Sequence, residues 1–197
     1  MSWENRIIND AALAPYFNSD ERDFRARVRA LIKQQQATWP MLNQAIAALG
    51  QAQDKQFRVK GSEVFAQFNP ARIVSTAAKV DAASIKARPC FLCAENLPAE
   101  EQGVAFGDAY VVLCNPFPVL PDHLVISART HTPQAIHGHF GALLDLAEGL
   151  GEEFFALYNG PACGASAPDH LHFQACSRER LPVARDVETW ERRYVLH

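Results

Sequence analysis

Two histidines and a glutamine stand at alternate positions in His170-Leu171-His172-Phe173-Gln174, after a loop of small residues, Asn159-Gly160-Pro161-Ala162-Cys163-Gly164. The whole chain has only 7 histidines, so this spacing invites a chemical reading. On a helix, residues i and i+2 point about 200° apart; on a strand, residues i, i+2 and i+4 line one face. The pattern therefore predicts a strand with His170, His172 and Gln174 in a row and Leu171, Phe173 and Ala175 turned toward a core. An imidazole with an ordinary pKa of about 6.5 is largely neutral at pH 7, so one ring nitrogen keeps a lone pair for a metal or for phosphorus.

A second constellation is Cys90-Phe91-Leu92-Cys93, the spacing of a metal knuckle. A tetrahedral zinc site needs two further sulfur or nitrogen ligands. A redox pair fits less well, because nothing around Pro89 has the strand-then-helix context in which such pairs act. A zinc deaminase also has Pro-Cys-x-x-Cys, but its His-x-Glu element precedes the cysteines, and the first histidine here is His123. Haem attachment fails because residue 94 is alanine. The remaining ligands come from the later histidines. His137 and His139 diverge if their segment is helical and then face solvent. His131 lies just past an apolar run and His170 heads the motif strand, so the expected set is Cys90, Cys93, His131 and His170, with His123 in place of His131 as the alternative. Four protein ligands leave no open position, which makes the zinc structural.

Several elements must position these groups. Residues 21–50 place apolar side chains at helical spacing (Phe24, Val28, Leu31, Ile32, then Leu42, Ile46, Leu49) and are interrupted at Trp39-Pro40 and closed by Gly50. Two amphipathic helices joined at the proline are expected, packed as a layer on the main domain. Val64 to Val74 reads as strands around Asn69-Pro70, and Lys79 to Arg88 as a polar connector. Ala109 to Cys114 and His123 to Ser127 are short apolar runs separated by Asn-Pro-Phe-Pro-Val-Leu-Pro-Asp, as in neighbouring antiparallel strands. Residues 133–157 repeat apolar side chains as one long helix on the sheet would. Strands and helices mix without regular βαβ alternation, so the fold class is α+β.

Composition narrows the classes of partner. The chain has 197 residues, 48% hydrophobic and 21% charged, with a formal net charge of -3. That is an ordinary globular composition with no basic field for nucleic acid. No apolar run approaches the ~20 residues of a membrane span, and the polar start lacks a signal peptide's layout, so a cytoplasmic protein is expected. Five cysteines, an odd number, argue against a secreted disulfide framework.

His170-x-His172-x-Gln174 resembles the H-x-H-x-Q motif of the transferase branch of the histidine triad superfamily, which includes galactose-1-phosphate uridylyltransferase and the diadenosine tetraphosphate phosphorylases. "FNPARIVSTAAKV", "CFLCAEN", "SARTHTPQ" and "NGPACGASAPDHLHFQ" resemble segments of uridylyltransferase-type enzymes in the same order, from about residue 64 to 176. Bacterial relatives of the GDP-hexose phosphorylase type look closer still. The resemblance implies a HIT-like antiparallel sheet, with residues 1–60 as an N-terminal helical segment packed on a nucleotidyltransferase domain spanning 61–197. It makes His172 the nucleophile that attacks the α-phosphorus of a nucleotide or nucleotide sugar, and a phosphate or sugar phosphate the acceptor. Independently of the family, the attacking ring needs its other nitrogen held by an acceptor such as a backbone carbonyl.

Gln174 discriminates between reactions. The hydrolase branch has histidine at this position; a carboxamide donates hydrogen bonds to a phosphoryl oxygen but transfers no proton near neutral pH, which favours transfer over hydrolysis. Gly160, Gly164 and Ser166 are expected to turn N–H groups and a hydroxyl toward phosphate oxygens, with Asn159 matching an asparagine of the uridylyltransferase-type site. Arg72 and Lys79 are candidate cations for the phosphates. Those enzymes carry two related halves and this chain supplies one, so a homodimer is expected, or else the chain is a fragment. A slow nucleotide hydrolase and a non-catalytic zinc-stabilised module, binding through residues 21–50, are the competing readings.

Overall fold

The structure is a computed structural model that describes residues 2–59, 62–70 and 81–181. Its centre is a five-stranded antiparallel sheet in the order β3-β4-β5-β7-β6. These strands are β3 (Gly103–Phe106), β4 (Tyr110–Cys114), β5 (Leu124–Ala128), β6 (Phe154–Leu157) and β7 (His172–Ser177). A separate two-stranded hairpin pairs β1 (Gln53–Val59) with β2 (Ser62–Phe68). The α+β class expected from the sequence is the class observed.

Three α-helices precede the hairpin: α1 (Asp10–Leu13), α2 (Phe24–Thr38) and α3 (Pro40–Gly50). Pro40 stands in the first turn of α3, where its missing N–H costs nothing, and Trp39 is the extended residue between α2 and α3. Asp23 caps α2 by accepting from the Ala26 N–H at 2.7 Å. The connector 79–88 contains a short helix the sequence reading left out, α4 (Ala82–Ala87), capped by Asp81 on the Ser84 N–H.

The expected helix over 133–157 is shorter than its apolar pattern. The observed helix, α5, runs only from Phe140 to Leu150. Gly138 (φ 79°) and Gly151 (φ 72°) adopt left-handed backbone on either side of it, a conformation that interrupts a helix and that glycine adopts without strain. The apolar residues after Gly151 form the edge strand β6 instead. His139 correspondingly is not a solvent-facing helical residue: it sits at the N-cap, with its Nδ1 2.8 Å from the Tyr110 hydroxyl.

Strand alternation sorts the sheet into two faces. Val112, Ile126, Phe173 and Ala175 point into one core with Val28, Leu31, Trp39 and Leu42 of the helical segment and Leu146 and Leu150 of α5. Phe173 is fully buried, its ring centroid 5.5 Å from that of Tyr110. Val111 and Leu113, on the other face, pack with Leu97, Trp3 and Ile7. The N-terminal residues also hold the cysteine loop in place: the buried Arg6 guanidinium donates to the carbonyls of Ala94 (3.1 Å) and Leu97 (2.8 Å), and the Trp3 indole N–H to that of Arg129 (2.8 Å).

Candidate active site

The second face of the sheet carries His172 and Gln174. Register pairs Ser127 of β5 with His172, and Val125 with Gln174. Directly paired residues of antiparallel strands share a face, so His172 and Gln174 stand beside Ser127 and away from Phe173. The strand begins at His172; His170 lies just before it, at a bend rather than at its head. Its ring still reaches the same face, with Nε2 3.1 Å from Ser127 Oγ.

Hydrogen-bond polarity fixes the tautomer of His170. Its Nε2 lies 2.8 Å from the Ala128 carbonyl oxygen, which can only accept, so Nε2 holds the proton and Nδ1 has the lone pair. That lone pair faces Cys90 Sγ at 3.2 Å and Cys93 Sγ at 3.6 Å. Cys93 Sγ is in turn 3.3 Å from His131 Nδ1. The ligand atoms of Cys90, Cys93, His131 and His170 all lie within 4.8 Å of one another. Bonds of about 2.0 Å to nitrogen and 2.3 Å to sulfur give a tetrahedron edges of roughly 3.3–3.8 Å, so the cluster has the dimensions and donor set of a metal site. Burial and the adjacent Cys90 push the Cys93 thiol up to about 12, so a thiolate at Cys93 needs a cation.

His123, the alternative ligand, lies elsewhere. The Val119 N–H donates to its Nδ1 at 3.2 Å, so the proton is on Nε2, which donates to Gln174 Oε1 at 2.7 Å. This assigns the oxygen end of the Gln174 carboxamide to His123 and leaves the two N–H donors on the other end.

His172 is 5% exposed. Its Nδ1 is 2.8 Å from the His170 carbonyl oxygen, so Nδ1 is the protonated nitrogen and Nε2 has the lone pair. Burial lowers its pKa, and hydrogen bonding to the His170 carbonyl opposes this only in part, so the ring is neutral at pH 7.

The loop before the strand is mostly open. Gly160 is half-buried, while Gly164 and Ser166 are exposed. The Ser166 carbonyl accepts from Arg88 at 3.2 Å, and Arg88 also pairs with Asp169 at 3.2 Å. The Asn159 carbonyl is tied to His172 through Gln134, a residue the sequence reading gave no role. Arg72 and Lys79 lie outside the described residues.

Two contacts were hidden in the sequence: His123 to Gln174, 51 residues apart, and Gln134 to His172, 38 residues apart. The first follows the β5–β7 register and the second the path of the loop after β5, and spacing along the chain encodes neither. The only signal at Gln134 was its place at the end of "SARTHTPQ".

No curated protein matches the chain. Solved structures similar to it include yeast Ap4A phosphorylase Apa2 in complex with AMP, at 20% identity and TM-score 0.47, covering 79% of this chain and 56% of that one. The same yeast enzyme in complex with Ap4A is 16% identical with TM-score 0.44, covering 81% and 58%. A histidine triad protein from Clostridium difficile is 20% identical with TM-score 0.34, covering 47% of this chain and 90% of that one. The chain thus spans little more than half the length of the yeast phosphorylase chains. A family model described as a domain of unknown function (DUF4922) matches residues 31–177, well over half of the 197 residues, and the chain belongs to that family.

Proposed function

We propose that the protein is a nucleotidyltransferase or phosphorylase that passes a nucleoside monophosphate through His172 to a phosphate-containing acceptor. The observation behind this reading is the His172 ring itself, neutral and buried, with Nδ1–H on the His170 carbonyl and the Nε2 lone pair unengaged by that bond. In the first step Nε2 bonds to the α-phosphorus and the P–O bond to the leaving phosphate breaks, its electron pair departing with that phosphate. In the second, an acceptor phosphate oxygen bonds to the same phosphorus and the P–N bond breaks, returning the pair to Nε2.

Gln174 supplies donors rather than protons. With its oxygen engaged by His123, its N–H groups are the end available to a phosphoryl oxygen, where they offset developing charge. The carboxamide itself delivers no proton to or from water at neutral pH, and inorganic phosphate or a sugar phosphate is already anionic. That favours transfer over hydrolysis. Loop residues Asn159, Gly160, Gly164 and Ser166, with Arg72 and Lys79, are the proposed phosphate contacts.

Cys90, Cys93, His131 and His170 would hold zinc, which here supplies rigidity rather than a reactive water, because the four ligands complete its coordination. Its effect reaches His172 through one residue, since the His170 that ligates by Nδ1 also orients the neighbouring ring by its carbonyl. The test is intact-mass analysis after incubation with ADP-, GDP- and UDP-linked compounds: one nucleoside monophosphate is expected to add to the protein and to leave on addition of phosphate or a sugar phosphate.

A further inference from the structure

The sheet opens beside His172. The last β6–β7 pair is Leu157 with Gln174, and continuing that register by two residues would set Asn159 directly against His172. The backbone of β6 does not make this pair. The buried side chain of Gln134 is there instead, its Oε1 accepting from the His172 N–H at 2.7 Å and its Nε2 donating to the His172 carbonyl at 3.0 Å. The same Nε2 donates to the Asn159 carbonyl at 2.8 Å.

His172 needs both bonds from that side. On the β5 side the Leu171 carbonyl accepts from the Ala128 N–H at 2.9 Å, so the N–H and C=O of residue 172 point toward β6. Left unpaired and buried, they would each cost on the order of 1–3 kcal/mol. A carboxamide presents the same donor and acceptor as a peptide group, so Gln134 fills the ladder position while keeping Asn159 one amide width away. Its own backbone is anchored too: the N–H donates to the Pro168 carbonyl at 3.2 Å, and the carbonyl accepts from the Tyr158 hydroxyl at 3.0 Å.

We infer that Gln134 is a positioning residue for His172: its side-chain amide replaces a stretch of β6 backbone, fixing the nucleophile's main chain and holding open the gap between it and the Asn159–Ser166 loop. This role rests on the reading of His172 as the nucleophile, which has its own separate outcome in the test. Glutamate has the shape of glutamine but no donor, so Gln134→Glu sets two carbonyl oxygens against a carboxylate. Gln134→Met keeps the volume and removes all three bonds.

The test compares the two variants with wild type, after matched metal content confirms that each is folded. Two properties are read: the rate of His172 labelling at saturating concentration of whichever ADP-, GDP- or UDP-linked compound labels the wild type, and the imidazole 15N spectrum of histidine-labelled protein. A misplacement of about 1 Å costs on the order of a hundredfold in rate. The expected result is therefore labelling about a hundredfold slower with nucleotide Kd changed less than about threefold, and loss of the protected Nδ1-proton signal of His172. Wild-type labelling rates, or an unchanged Nδ1-proton signal, in both variants would overturn the role of Gln134 while leaving His172 as the nucleophile. If wild type itself takes no label, the nucleophile reading fails, and the ring spectrum alone decides whether Gln134 positions His172.

Discussion

The carbonyl oxygen of His170 lies 2.8 Å from Nδ1 of His172, while the Nδ1 of His170 faces both cluster thiols. One residue therefore joins the proposed metal ligand set to the proposed nucleophile. Disturbing the metal side of His170 is expected to be felt at the His172 ring.

The first consequence concerns metal. Purified protein is expected to contain about one zinc per chain, lost in Cys90→Ser and His170→Ala but retained in His123→Ala and His172→Ala. Because binding free energy at such a site is folding free energy, the two ligand variants are expected to lose several kcal/mol of stability as well. Metal analysis by mass spectrometry checks this; full zinc content in His131→Ala would remove His131 from the ligand set.

His123 is expected to act through Gln174. In His123→Ala the carboxamide loses its acceptor-side bond and is free to present either end to a phosphoryl oxygen. Loss of one such hydrogen bond is worth about 1 kcal/mol, so label transfer is expected to slow about fivefold with zinc content unchanged. Single-turnover transfer rates measure it, and an unaffected rate would mean that the orientation of Gln174 is immaterial.

Glu101 gives a pH-dependent effect on stability. It is 5% exposed, and burial raises its pKa to about 8, with the nearby Arg6 charge pulling the other way. Since the unfolded carboxyl titrates near 4.5, the folded state binds the extra proton between about pH 4.5 and 8, and stability falls as pH rises through that window. Glu101→Gln is expected to flatten this slope and to be the more stable protein at pH 8, by on the order of a few kcal/mol. Urea unfolding of both proteins at pH 5, 6, 7 and 8 checks it; parallel curves would contradict it.

Much of this was legible from residue types. Pro40 and Gly50 bracket α3 because proline starts helices and glycine ends them, and the Cys90–Cys93 knuckle is readable because metal chemistry restricts both identity and spacing. The strand through Phe173 was legible because its alternate residues differ so sharply. What stayed hidden has physical causes. β6 is a four-residue strand just after Gly151, and its apolar residues extend the helical spacing of the segment before it, so the pattern alone does not separate helix from strand there. β1, Gln-Asp-Lys-Gln-Phe-Arg-Val, is exposed along its length and has no hydrophobic alternation to betray it. His170 precedes the strand instead of heading it, so its ring reaches the thiols and Ser127 from a bend, where period-two reasoning does not apply. The roles of His123 and Gln134 come from tertiary neighbours, which no local pattern records.

The most direct measurement is peptide mapping of the protein after brief exposure to the nucleotide compounds and quenching at alkaline pH, since a phosphoramidate is acid-labile. A single nucleoside monophosphate is expected on the peptide containing His172, absent in His172→Ala and chased by inorganic phosphate or a sugar phosphate but only slowly by water. An equal label in His172→Ala, or a label on any other residue, would contradict His172 as the nucleophile.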